Sequence, residues 1–213
     1  MNRATDWDRY YRKPFSATAI TRRITTARLI GSIRRHRPFP CRHIVEWGGA
    51  NSCFIDAIYR AFAPERYTAA DSNALGLSLL RRREAQYPGL NTLQDDVLAP
   101  KQIVQGDVVY SVGLIEHFDP RRTAQAIRSH FEWARPGGLV VISFPTPTWL
   151  YRTARWCAER LGVWIFHDER ALDFDEVMGE MQRHGRFLGR DLIWPTVLTQ
   201  GVLIFRKHED AAA

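Results

Sequence analysis

Cysteine is scarce in this 213-residue chain, and the three present, Cys41, Cys53 and Cys157, are widely spaced and odd in number. They build neither a disulfide framework nor a paired-cysteine knuckle, and no metal is expected. Long apolar runs are lacking as well. Every long window is broken by Arg, Asp or Glu before reaching the roughly 20 residues that span a bilayer. The opening Met1-Asn2-Arg3-Ala4-Thr5-Asp6-Trp7 has no apolar core of a secretory signal, which points to a cytoplasmic protein. With 14 glycines and 11 prolines, collagen-like and low-complexity chains are excluded. No internal repeat is visible. The 45% apolar content supplies the core of one domain.

Positive charge is abundant at one end. Of the net charge of +7, residues 1–43 contribute an excess, with eleven Lys/Arg against Asp6 and Asp8, and the rest of the chain is close to neutral. The asymmetry suits an anionic partner (nucleic acid, a phosphorylated small molecule or a membrane surface) and equally a solvated helical arm. Residues 1–40 read as a helical cap and arm broken near Lys13-Pro14. Ala19, Ile20, Ile24, Ala27, Ile30 and Ile33 form an irregular apolar stripe, and Pro38 and Pro40 end it.

From residue 41 to 208 short apolar runs alternate with amphipathic helices. Strands are expected at 43–46, 67–71, 90–94, 107–112 and 139–144, with helices at 52–62 and 75–87. A further helix opens at Pro120 behind the N-cap Asp119. Asp173 with Glu176 reads as a capping box. Strands at 187–193 and 202–206 have no helix between them and should pair antiparallel at one edge. Residues 209–213 form a tail. The alternation predicts a mostly parallel α/β sheet with helices on both faces.

Ligands of such sheets lie outside the carboxyl ends of the strands. Four segments fall there. Glu46-Trp47-Gly48-Gly49-Ala50-Asn51-Ser52 ends the first strand, where glycine permits close backbone approach. Asp71, followed by Ser72, ends the second, and a carboxylate there suits ribose hydroxyls. Asp95-Asp96-Val97 ends the third, and Ser111-Val112 ends the fourth. Any one of these is ordinarily a turn residue or loop solvator; the set at successive strand ends is the signal.

In order and spacing, Glu46-x-Gly48-Gly49, Asp71, Asp96-Val97, Asp107–Ser111, Gly113-Leu114-Ile115-Glu116-His117-Phe118 and Arg135-Pro136-Gly137-Gly138 resemble class I S-adenosylmethionine-dependent methyltransferases over residues 42–145. The resemblance implies a three-layer Rossmann-like sandwich with a seven-stranded, mostly parallel sheet and one antiparallel edge strand. It implies S-adenosyl-L-methionine as cofactor and S-adenosyl-L-homocysteine as product. Glu46, Gly48, Gly49 and Asn51 would surround the methionine part, Asp71 and Ser72 the ribose, Asp96 and Val97 the adenine. Ser111 and Val112 would lie beside the cofactor, with Trp7, Tyr10 and Tyr11 as an aromatic cap. The family's Gly-x-Gly-x-Gly is altered here to include Ala50 and Ser52. Asn51 tolerates a left-handed backbone, and the same change disfavours a nicotinamide site.

The expected activity is methylation, at oxygen, of a small or lipid/carrier-linked acceptor. His117 is the candidate general base, and ordering of its own loop is the plainer reading; Glu116 reads as structural. Residues 145–167 form a lid-like helical insert after the fifth strand, in which Trp149, Arg152 and His167 are candidate acceptor contacts, with Asp168 in reserve. Two alternatives remain open at this level: RNA methylation using the basic arm, and a silent methyltransferase-like binding module. The Trp/Arg content of the insert also suits contact with lipid headgroups.

Overall fold

The computed structural model describes residues 5–12, 19–38, 40–193 and 199–209, with the side chains of Ala19 and Ile20 also outside the description. The expected break at Lys13-Pro14, the Trp194–Leu198 segment and most of the tail therefore lie outside the described residues. The elements run α1 (Trp7–Arg12), α2 (Ala19–His36), β1 (His43–Trp47), α3 (Ile55–Phe62), β2 (Arg66–Asp71), α4 (Ala74–Arg81), β3 (Leu90–Gln94) and β4 (Gly106–Val112). They continue with α5 (Pro120–Trp133), β5 (Ala134–Pro145), α6 (Trp149–Arg160), α7 (Phe174–Met181), β6 (Gly185–Ile193) and β7 (Gln200–Lys207).

The strands form one sheet in the order β3-β2-β1-β4-β5-β7-β6. Neighbours from β3 to β5 pair in parallel, and β7 runs antiparallel to both β5 and β6. The hairpin of the last two strands thus lies at one edge, with the single reversed strand, β7, entering between β5 and β6. Alternation along each central strand feeds two cores, because successive side chains point to opposite faces. Val45, Trp47, Val109, Val140, Ile142, Leu203 and Phe205 pack on one face with α5 and α7. Ile44, Val108, Tyr110, Leu139, Val141 and Ile204 pack on the other, where Leu29 and Ile33 of α2 join Ile55 and Ile58 of α3. The basic α2 is therefore a layer of the sandwich along its Thr25, Leu29 and Ile33 line, with Ala27 on its exposed side.

Several boundaries differ from the sequence reading for local reasons. The 52–54 stretch is a turn, in which the Ser52 hydroxyl accepts from the Phe54 amide at 3.1 Å, so α3 starts later. The 75–87 helix stops at Arg81 and resumes as a 3-10 turn at Glu84–Gln86. The capping box of α7 does not form: Asp173 makes no side-chain cap bond, and both Glu176 oxygens bind Arg170, at 2.6 and 3.0 Å. The Asp119 cap of α5 does form, accepting from the Arg122 amide at 2.9 Å.

Candidate active site

The chain reverses its direction of winding between β1 and β4, and a cavity of about 500 Å³ opens beyond their carboxyl ends. One wall is the turn after β1. Gly48 takes φ +74 and Asn51 φ +47, so the left-handed position expected of this loop falls on Asn51. A Cβ on Gly49 would lie 3.0 Å from the Ala69 Cβ and 3.2 Å from the Glu46 Cγ, so only glycine brings this turn so close to β2. Ala50 in turn packs on Gly76 of α4, where an added Cβ would sit 2.6 Å from the Ala50 Cβ and 2.9 Å from the Tyr11 ring. Gly76 on the neighbouring helix thus leaves the room that the Ala50 methyl occupies.

Asp71, at the end of β2, accepts from the Asn73 amide at 2.7 Å, the Ala50 amide at 3.1 Å and the Tyr11 hydroxyl at 3.4 Å. Burial raises its carboxyl, and these donors oppose the shift. Glu46 is buried at the cavity wall and accepts from the Tyr67 hydroxyl, which itself lies 2.6 Å from that of Tyr110. Burial pushes its carboxyl up to about 7, with the Tyr67, Ser52 and Tyr110 hydroxyls opposing.

The opposite wall is the loop after β4. His117 Nδ1 lies 2.9 Å from Asp168 Oδ1. The Thr5 amide donates to the other Asp168 oxygen at 3.2 Å, and the Thr5 hydroxyl donates to Oδ1. Arg170 fastens this segment to the same loop, donating its amide to the Glu116 carbonyl at 3.0 Å and its Nε to the Phe118 carbonyl at 2.7 Å. Burial alone would lower the His117 imidazole; the Asp168 hydrogen bond and the nearby Glu116, Asp168 and Glu169 carboxylates outweigh it and raise it. Burial would raise Asp168, but His117 and Thr5 hold it well below the usual carboxylate range. Glu116, pushed up to about 8 by burial, has an Oε2 without a hydrogen-bond partner. One ligand atom each of Glu116, His117 and Glu169 lie within 4.8 Å of one another. The Asp168 bond and the neighbouring acidic groups favour the charged form of the His117 imidazole.

The roof is aromatic. Trp7 meets His117 edge-on with centroids 4.8 Å apart, and Tyr10 and Phe166 meet edge-on at 5.6 Å. Tyr151 of α6 donates to Glu169, and Arg155 reaches the Glu169 carbonyl at 2.8 Å.

The sequence-read residues divide accordingly. Tyr11, Glu46, Gly48, Asn51, Val112 and His117 line the cavity; Asp71 stands behind Tyr11 and Ala50. Gly49 backs the turn. Asp96 and Val97 lie beyond the cavity wall at the β3 end, where Asp96 accepts from the Leu98 amide at 2.9 Å, and Ser72 is exposed. Ser111 points the other way: it is fully buried, 2.8 Å from the neutral His130 ring. Trp149, Arg152 and His167 are exposed and do not line the cavity: α6 turns the first two outward, and His167 stands exposed in the turn after Phe166. The insert enters instead through Tyr151 and Val163–Phe166. Thr5 and Glu169, which sequence reasoning missed, meet their partners only through long-range folding.

No protein-family model and no curated protein matches the sequence. Among solved structures, the chain is similar to the N-methyltransferase NodS from Bradyrhizobium japonicum WM9 in complex with S-adenosyl-L-homocysteine, at 15% identity and TM-score 0.67, covering 89% of this chain and 87% of that one. It is similar to magnesium protoporphyrin IX methyltransferase from Synechocystis PCC 6803 with bound S-adenosyl-L-homocysteine, at 10% identity and TM-score 0.72, covering 94% and 92%. A putative methyltransferase structure in complex with the Haloferax volcanii Trm112 activator matches at 13% identity and TM-score 0.74, covering 97% and 100%. The chain has the Rossmann-like fold of class I methyltransferases.

Proposed function

We propose that this chain is an S-adenosylmethionine-dependent methyltransferase acting at an oxygen of a small or lipid/carrier-linked acceptor. The observation that carries the reading is the joining, in one cavity, of the Gly48–Asn51 turn backed by Asp71 with the His117–Asp168 pair. The first end fits a nucleoside cofactor: the close turn accommodates a ligand backbone, and Asp71 keeps acceptor capacity for hydroxyls. Asp96, with its side chain exposed at the β3 end, and Val97 are assigned to the adenine side.

When bound, the cofactor supplies an electrophilic methyl group on a sulfonium. The residues of this chain position the acceptor and handle its proton. Trp7, Tyr10, Tyr11 and Phe166 exclude water from above, and alignment within such an enclosure supplies much of the acceleration. Asp168 fixes the His117 ring through Nδ1, leaving Nε2 to take the acceptor proton when the imidazole is neutral. The free thiols Cys41, Cys53 and Cys157 support a cytoplasmic setting. The test combines methyl transfer from labelled cofactor into cell extracts with the His117→Ala variant. Turnover should fall while cofactor affinity is spared; lost affinity would move His117 into the cofactor pocket.

A further inference from the structure

Four of the six large apolar side chains exposed among the described residues lie within one stretch of fifteen. They are Trp149 at 71% exposure, Trp156 at 58%, Leu161 at 75% and Val163 at 51%. On α6, Trp149 and Trp156 are seven residues apart and therefore share a face, with Arg152 and Arg160 at the same helical spacing between and beyond them. The Arg160 guanidinium stands 5.2 Å from the Trp156 ring centroid. Glu159, the acidic residue of the helix, is engaged by Arg155 at 2.8 Å, which leaves Arg152 and Arg160 as the outward charges of the face.

We propose that α6 and the turn after it, through Trp149, Arg152, Trp156, Arg160, Leu161 and Val163, form a docking surface for an anionic phospholipid membrane. Interleaved Trp and Arg suit the headgroup level, where indole rings sit between water and acyl chains and guanidinium groups pair with phosphates. A symmetric pairing of two copies would set these arginines against each other. Leu161 and Val163, aliphatic and exposed beside the two indoles, suit acyl chains better than nucleic-acid bases. The surface is continuous with the candidate active site, because Val163 both stands exposed and lines the cavity, next to Trp164 and Phe166. Docking would bring the cavity edge to the lipid. No described helix is long and apolar enough to cross a membrane. The surface stands on its own geometry and does not depend on the reaction assigned above.

Flotation of the full chain with vesicles tests this without an activity readout. The chain should float with phosphatidylcholine vesicles containing phosphatidylglycerol, stay behind with phosphatidylcholine alone, and release as salt rises. The combined Trp156→Ser, Arg160→Glu and Leu161→Ser changes should weaken binding about tenfold or more. Trp156→Phe should retain it, as should Arg121→Glu, a charge reversal on the exposed start of α5. Melting curves establish that each variant is folded. Failure of the parent chain to float with anionic vesicles would overturn the proposal, as would equal losses in Arg121→Glu and the triple variant. Salt-sensitive binding to RNA in place of vesicles would overturn it too.

Discussion

His117 Nδ1 lies 2.9 Å from Asp168 Oδ1, across 51 residues of sequence, and the Thr5 amide and hydroxyl close on the same carboxylate. One contact therefore ties the start of the chain, the loop after β4 and the end of the insert into a single cavity wall. An imidazole held this way is charged to higher pH than a free one.

The pH dependence follows in sign. His117 is raised above its ordinary 6.5, so its neutral, proton-accepting form becomes the major one only above that value. Turnover should be low in acid and climb through an apparent pKa above 6.5. The stability contributed by His117 is lost as pH rises through its raised folded value. That contributed by Asp168, held low, is lost as pH falls from the usual carboxylate range through its lowered folded value, so the pair stabilises most between the two. In Asp168→Asn the hydrogen bond to an ionised carboxylate is lost and the His117 titration should move down from its parent value, read directly by NMR of the ring protons. An unmoved titration would show that Asp168 does not set the charge of His117.

Asp71 accepts from the Tyr11 hydroxyl and from the Ala50 and Asn73 amides at the end of β2, and the proposed ribose role adds a ligand hydroxyl to these donors. Asp71→Ala should weaken cofactor binding by about 1.5–3 kcal/mol, the scale of a hydrogen bond to a charged group. Calorimetric titration measures this, and unchanged affinity would remove Asp71 from the ribose role.

Gly76 tests the altered loop. Replacing a helical glycine with alanine ordinarily gains up to about 1 kcal/mol. Here the new Cβ would meet the Ala50 Cβ at 2.6 Å, an atom fixed to the backbone, and the Tyr11 ring at 2.9 Å. Gly76→Ala should therefore destabilise by about 1–3 kcal/mol, the overpacking range, and loosen Tyr11. Chemical denaturation measures the loss; a more stable variant would show that Ala50 and Tyr11 can move aside.

The strands were legible because each central one is a short apolar run bounded by turn residues, as in Asp107–Val112 before Gly113. The place of the cavity was legible because it opens at the strand ends in this topology, with Gly48 lining it and Asp71 standing behind Tyr11 and Ala50. The part of the insert that faces the cavity was not. Trp149 and Arg152 look like binding residues by type, yet the α6 phase turns them to solvent and sends Tyr151 inward. Nothing local in Thr5 or Glu169 announces a partner more than one hundred residues away, or on the far side of an insert. The α2 stripe was legible in part: Ile33 is buried and Ile24 and Ile30 pack against the core, whereas Ala27 is exposed and the buried line also takes in Thr25 and Ser32, polar residues that hydropathy assigns to the outside.

The most direct test of the account is calorimetric titration of the purified chain with S-adenosyl-L-homocysteine, with NAD(H) as the control. Micromolar binding of the former and none of the latter is the expected result. No binding of S-adenosyl-L-homocysteine would contradict it, and the Ala50–Ser52 loop would then belong to a fold that has given up the cofactor.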